Sequence, residues 1–207
     1  MVTVGVTGAT GFVGGALMAY LRGRGHRVIG VDDRSGPVQV EWPDLPVTRG
    51  DIRSTATLAL LDTADVVLHL AAVSGVMACA EHPAESAAVN VEATDDLAHH
   101  LSGRKIPLAF ASSFAVVGIP DALPITERTP AKPPHEYARQ KAAGEAAVAR
   151  WARESGVNAA VLRMSNIYGR YEVGGKVVAK GNVLNRFAEQ AAAGHLSVNA
   201  PGTQRRD

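Results

Sequence analysis

"VTVGVTGATGFVGG", residues 2–15, runs from a valine-rich segment through a glycine-spaced turn into an alanine- and leucine-rich stretch. The β-branched run at 2–6 predicts a strand, and the apolar spacing over 12–23 predicts a helix. Between them Gly8, Gly11 and Gly14 recur every third residue, a variant of the G-x-G-x-x-G spacing. Position gives such a pattern its meaning. After a strand and at the mouth of a helix, glycines let the backbone approach a pyrophosphate, and the first helical amides add donors and positive potential. A tight β-to-α turn without a ligand would use the same residues.

The rest of the chain keeps this rhythm. Strands are predicted at 27–31, 46–49, 65–70, 107–111, 158–163 and 196–199, and helices near 54–61, 84–101, 136–155 and 182–193. Several of the strands are apolar at nearly every position, as expected where helices cover both faces of a parallel sheet. The alternation argues for a doubly wound, Rossmann-type α/β domain. Residues 117–135 hold five prolines and read as a surface loop; 168–181, with four glycines and no periodicity, reads as another.

At 207 residues the chain supports one good core. Its 21 basic and 20 acidic side chains leave a formal charge of +1, which points away from nucleic acid and membrane surfaces as partners. Cys79 is the single cysteine and suits a reducing compartment. No apolar run reaches the length of a membrane span and no signal-like segment stands at the start, so the expected location is cytoplasmic. His99 and His100 are adjacent and lack ligand spacing, so no metal site is read.

Asp32 lies at the end of the second predicted strand, eighteen residues past Gly14. A carboxylate there can accept both hydroxyls of an adenosine ribose and would repel a 2′-phosphate, which favours NAD over NADP. Arg34 keeps NADP as the alternative. Asp33 is either a turn residue or a second contact. Asp51 follows the third strand, where an adenine edge would lie, although Asp51 or Ser54 would equally cap the next helix. Ala71 and Ala72 end the fourth strand in small side chains that permit close approach, or that pack a helix. His69 reads as a satisfied histidine at a strand end.

Ser112 and Ser113 fall at the C-terminal end of the fifth strand, the edge where open parallel sheets bind ligands. Tyr137 and Lys141 are one turn apart on one face of the 136–155 helix. An ammonium beside a phenol favours the phenolate, as does a positively charged nicotinamide, and a phenolate is a general base for an alcohol proton, with a serine hydroxyl holding the substrate oxygen.

With these residues in view the chain resembles the extended short-chain dehydrogenases/reductases, the NAD-dependent epimerase/dehydratase family. The likeness is carried in order by "TGATGFVG", "VDDRSG", "GDIRS", "HLAA", "NVEAT", "FASSFAVVG", "YARQK", "LRMSNIYGR" and "GTQRRD". "VDDRSG" and "SSFAVVG" look most like the UDP-glucose 4-epimerase branch. Ala115 cannot donate a proton where 4,6-dehydratases carry an acid, which argues against dehydration.

The resemblance implies NAD as cofactor. Phe12 and Val13 would meet the pyrophosphate, and Asp32 and Asp33 the adenosine end. Asp51 and Ile52 would lie at adenine, with Leu70, Ala71 and Ala72 along the dinucleotide and Asn90 behind it. Ser113 would bind substrate, Tyr137 would be the base and Lys141 would hold the nicotinamide ribose. Asn166, Asn182 and Arg206 would meet a nucleotide sugar. The implied reaction is 4-epimerisation through a transient 4-keto sugar; a reductase of the same fold, or a non-catalytic NAD-binding protein, is the alternative.

A homodimer is a further expectation. So is a division in which 1–207 is the NAD-binding domain and 166–207 begins the substrate-binding part. Family members continue past Asp207, so this chain alone is expected to bind NAD but to turn over sugar nucleotide poorly or not at all. Departures from the family pattern are Val117 for a frequent tyrosine, Glu136 and Gln140 for proline and serine, and no proline before Arg170.

Overall fold

The computed structural model describes residues 1–42, 44–45 and 47–198. Six parallel strands form the sheet: β1 Thr3–Thr7, β2 Arg27–Asp32, β3 Val47–Arg49, β4 Val66–His69, β5 Leu108–Ser113 and β6 Ala159–Met164. Their order is β3-β2-β1-β4-β5-β6. The chain winds outward from β1 to β3, crosses back, and winds the other way from β4 to β6. Ligand crevices open at such a reversal, above the carboxyl ends of the strands. The doubly wound fold expected from the sequence is the one observed.

The two faces of the sheet are built by alternation. Val4 and Val6 of β1 point with Val66, Leu68 and Leu70 towards Met18 of the helix α1 (Phe12–Gly23). Val31, Val67, Leu108 and Phe110 point the other way, onto Leu97 and Leu101 of α5 (Ala93–Gly103) and Val148 of α6 (Glu136–Ser155). At the sheet edge, Val161 and Leu162 of β6 stay exposed.

The shorter helices are α2 (Thr55–Ala59), α3 (Val76–Glu81) and α4 (Pro83–Ala87). Periodicity at 84–101 predicts one helix, and the structure divides it: α4 passes through a widened π turn at Ala88–Glu92 before α5 begins. α3 was not expected, because six residues are too few to register a period. α7 (Val183–Ala192) lies where a helix was expected.

Two expectations fail. The segment 168–181, expected as a loop, contains an antiparallel hairpin, β7 (Arg170–Val173) and β8 (Lys176–Ala179). Gly174 and Gly175, both at positive φ (54° and 77°), make its two-residue turn. That glycine pair is the primed-turn signal. The strand expected at 196–199 is absent over 196–198, where Leu196 and Val198 are exposed and no neighbouring strand offers a ladder; residue 199 lies outside the described residues.

Candidate active site

The glycine turn is shaped by close approach. Gly8 has φ 69°, and a Cβ there would stand 2.7 Å from the Ala71 amide nitrogen, so the turn lies directly against the end of β4. A Cβ on Gly14 would stand 2.0 Å from the Gly8 carbonyl oxygen. Gly11 N–H donates to Gly8 O and Gly15 N–H to Gly11 O, while the amides of Phe12 and Val13 open the helix without intrahelical acceptors. The first turn of α1 holds no acidic residue to neutralise its positive end. This cradle fits the diphosphate of a dinucleotide.

Asp32 braces the same turn. Its Oδ2 accepts from Thr10 N–H at 3.0 Å and its Oδ1 from Arg34 N–H at 2.6 Å. Each oxygen keeps a further lone pair, enough for ribose hydroxyls. One terminal nitrogen of the Arg34 guanidinium is engaged by Glu41, which competes with a 2′-phosphate for it. Asp33 accepts from the amide and hydroxyl of Ser35 and serves the turn. Asp51 pairs with Arg53, which holds its carboxyl below the usual range, and Ser54 makes no side-chain cap bond. Neither side chain caps α2: the guanidinium two residues away takes the carboxylate first. Ile52 is buried beside it.

At the other end of the crevice, α6 is seated by its own sequence. His135 caps it, Nδ1 accepting from Ala138 N–H at 3.2 Å, and the His135 ring stacks on Tyr137. Gly156, at φ 70°, ends it. Gly144 lets the helix lie flat on β5, since a Cβ there would sit 2.7 Å from the Phe110 ring. Tyr137 is thereby held half-buried next to Ser113, and Lys141 is buried beneath it.

Lys141 Nζ donates to Ala111 O at 2.9 Å and lies 4.8 Å from the Phe110 ring centre. Burial lowers its pKa from 10.5 to about 8. Burial also pushes the Tyr137 phenol up, with the Ser113 hydroxyl pulling partly the other way. The phenolate expected from the sequence is therefore not favoured here. The ammonium faces the Ala111 carbonyl, and low dielectric governs the phenol.

Ser112 and Ser113 part company, as neighbours on a strand must. Ser113 faces the crevice, its Oγ accepting from Ala115 N–H at 3.2 Å. Ser112 donates to Glu145 at 2.5 Å. Glu145 also takes a two-pronged bond from Arg163 (2.9 and 2.7 Å), whose remaining arm reaches Thr129 O of the proline-rich loop at 3.2 Å. That loop helps to wall an apolar hollow of about 660 Å³ lined by Phe114, Leu123, Pro124, Ile125 and Ser165. It adjoins Ser113 and Asn166 in sequence. Asn166 Nδ2 is buried without a partner, a donor that suits a ligand oxygen. Asn182 instead caps α7 and donates to Ile167 O. Arg206 lies outside the described residues.

Several contributors escaped the sequence reading. Tyr171 of the hairpin donates to Phe12 O at 2.7 Å and packs on the Phe12 ring, roofing the glycine turn. His69 is satisfied as expected, but by distant partners: Thr7 Oγ1 at 2.7 Å and Thr94 Oγ1 at 3.0 Å. Thr94 donates onward to Asn90 O, so His69 Nε2 carries the proton and Nδ1 accepts from Thr7. Asn90 is bonded to Val73 and to Gln140.

The sequence signature of the NAD dependent epimerase/dehydratase family matches residues 4–207. A probable low-salt glycan biosynthesis reductase of Haloferax volcanii is 35% identical over 79% of this chain and 53% of its own. A UDP-glucose 4-epimerase of Mycolicibacterium smegmatis is 31% identical over 98% of this chain and 67% of its own. The UDP-glucose 4-epimerase of Thermus thermophilus, solved in complex with NAD, superposes with a TM-score of 0.79 at 27% identity, over 93% of this chain and 63% of that one. This chain thus spans between about half and two thirds of the proteins it resembles.

Proposed function

We propose, on the premise that this chain belongs to the NAD-dependent epimerase/dehydratase family, that it carries the NAD-binding and catalytic part of a nucleotide-sugar 4-epimerase. The observation that carries this reading is the meeting of Ser113, Tyr137 and Lys141 at the carboxyl edge of β5, across the reversal point from the glycine turn. Residues 166–207 would begin the substrate-binding part.

The amides of Phe12 and Val13 would hold the pyrophosphate and Asp32 the adenosine ribose. Asp51 and Ile52 would flank adenine, while Leu70 to Ala72 would line the path to the nicotinamide ribose at Lys141. NAD, when bound, supplies the hydride acceptor and donor for the sugar C4. The chain supplies the proton chemistry. Ser113 would fix the sugar 4-oxygen, and the Asn166 amide would give the sugar a donor. Tyr137, protonated at neutral pH in this structure, is ready to donate to a 4-keto oxygen, and positive charge brought beside the phenol would turn it into the base for the 4-hydroxyl.

A reductase of the same fold is the second reading, favoured by the Haloferax relative at 35% identity. The two differ in balance: an epimerase returns its hydride, whereas a reductase consumes one equivalent of reduced cofactor per product. The test offers UDP-glucose and UDP-galactose to the NAD-loaded protein and follows epimer ratio and reduced nicotinamide together. Interconversion without net NADH formation is expected, and Tyr137→Phe should slow it by a factor on the order of 10² to 10⁴ with NAD affinity kept. NADH accumulating one for one with an oxidised sugar, the reductase run backwards on NAD and the sugar alcohol, would replace the epimerase with the reductase. Undiminished rate in the tyrosine variant would remove Tyr137 from its role.

A further inference from the structure

Gln140 departs from the serine common at this point of the family pattern, and the structure gives it work. It is buried, three residues past Tyr137 and one before Lys141. Its Oε1 accepts from Asn90 Nδ2 at 2.8 Å. Its Nε2 reaches Ser86 Oγ at 2.9 Å, Glu136 Oε1 at 3.1 Å and Pro83 O at 3.3 Å.

The orientation of both amides is forced by backbone. Asn90 Oδ1 accepts from Val73 N–H at 2.9 Å, and Asn90 Nδ2 donates to Val73 O at 3.0 Å. The other hydrogen of the Asn90 amide faces Gln140 at 2.8 Å, with Cys79 Sγ a weaker acceptor at 3.7 Å, so the Gln140 atom there is an acceptor. Gln140 therefore turns its carbonyl to Asn90 and its NH₂ to α4. A second string reaches the same loop: Ala71 N–H donates to Thr7 Oγ1, Thr7 to His69, His69 to Thr94, and Thr94 to Asn90 O. Thr7, His69, Ser86, Asn90, Thr94 and Gln140 are each at most 3% exposed. In so dry a network a deleted partner leaves a buried donor unpaired.

We infer that Gln140 is a positioning residue which, through Asn90, clamps the backbone of Val73, two residues past Ala71, against the Tyr137–Lys141 turn of α6, and so fixes the nicotinamide half of the cofactor site. Serine is too short to span from α6 to Asn90 and α4 together. The inference rests on the functional reading above, in which residues 70–72 line the dinucleotide on the β4–β5 side while Asp32 serves the adenosine end.

The test is calorimetric titration of the 207-residue chain and of Gln140→Met, similar in volume but unable to bond, with NAD and with ADP-ribose, which lacks the nicotinamide. The unaltered chain should bind NAD more tightly than ADP-ribose. The variant should lose about tenfold in NAD affinity with ADP-ribose held within about twofold, and its Val73 amide should exchange faster in the free protein. A role in stability alone would move both ligands together or neither; either result overturns the inference, as does equal affinity of the unaltered chain for the two ligands. Should Gln140→Met not fold, Gln140→Asn, which keeps an amide but cannot span both partners, carries the same comparison with the same outcomes. No NAD binding by the unaltered chain would overturn the functional reading and this inference together. Preserved NAD binding by the variant overturns this inference alone.

Discussion

Replacing Lys141 by methionine should make the free chain more stable at neutral pH. Burial brings the ammonium from 10.5 to about 8. At pH 7 both folded and unfolded chains hold the proton, so folding bears the whole cost of dehydrating it. At 1.36 kcal/mol per pH unit, that fall amounts to about 3 kcal/mol. Methionine forgoes the bond to Ala111 O, worth about 1 kcal/mol, and the contact over Phe110, worth about 0.5 kcal/mol. The net gain is about 2 kcal/mol, or about 5 °C in Tm for a chain of this size.

The sign with pH follows from linkage. Between about 8 and 10.5 the unfolded lysine binds more protons than the folded one, so the stability of the unaltered chain climbs through that window. The variant lacks this climb, and the gap should close towards pH 10. Urea unfolding followed by the fluorescence of Trp42 and Trp151, at pH 7 and pH 10, reads both quantities. A variant less stable at pH 7, or a gap unchanged at pH 10, would refute the reasoning.

Asp32 and the engaged Arg34 should give at least a tenfold preference for NAD over NADP, about 1.4 kcal/mol; titration of both decides it, and equal or tighter NADP binding counts against the assignment. Burial, reinforced by Lys141, lowers the pKa of His69 from 6.5 to about 3. Its folded pKa lies below its unfolded one, so the stability it guards is whole above 6.5 and drains away as the pH falls towards 3. Nitrogen-detected NMR should show the Nε2–H tautomer unchanged to about pH 4, and an imidazole titrating near 6.5 in the folded chain would contradict the buried string.

What could be read ahead was what repeats locally. The strand β1, the Gly8–Gly14 turn and Asp32 lie in one unit of chain, and Tyr137 and Lys141 share a turn, which the glycine turn and the serines at a strand end then gave a meaning. The β7–β8 hairpin was also legible: Gly174 and Gly175 announced it, but four glycines in the segment read as disorder of pattern. The capping alternative for Asp51 falls to Arg53, two residues on, which takes the carboxylate. The Gln140–Asn90 pair is another matter. Fifty residues separate the partners, and no local period encodes a bond formed only when α6 packs on the π turn. His69 was rightly read as satisfied, yet Thr7 and Thr94 were invisible for the same reason. The phenolate expectation weighed charge and omitted burial, which three dimensions alone supply.

The strand order has a consequence for how the molecule comes together. Of the six strands β1 comes earliest in the chain and sits inside the sheet, with β2 and β3 added on one flank and β4, β5 and β6 on the other. Every later strand therefore docks on an open edge, and none has to be inserted between two that are already zipped. The closures are unequal. β1 meets β2 across 24 residues, from Thr3 to Arg27, but meets β4 across 62, from Val4 to Val66. Longer closures cost more chain entropy before any contact rewards them. The adenosine side can thus zip within the span from Thr3 to Arg49, whereas the flank bearing Tyr137 waits on the longest crossover in the sheet.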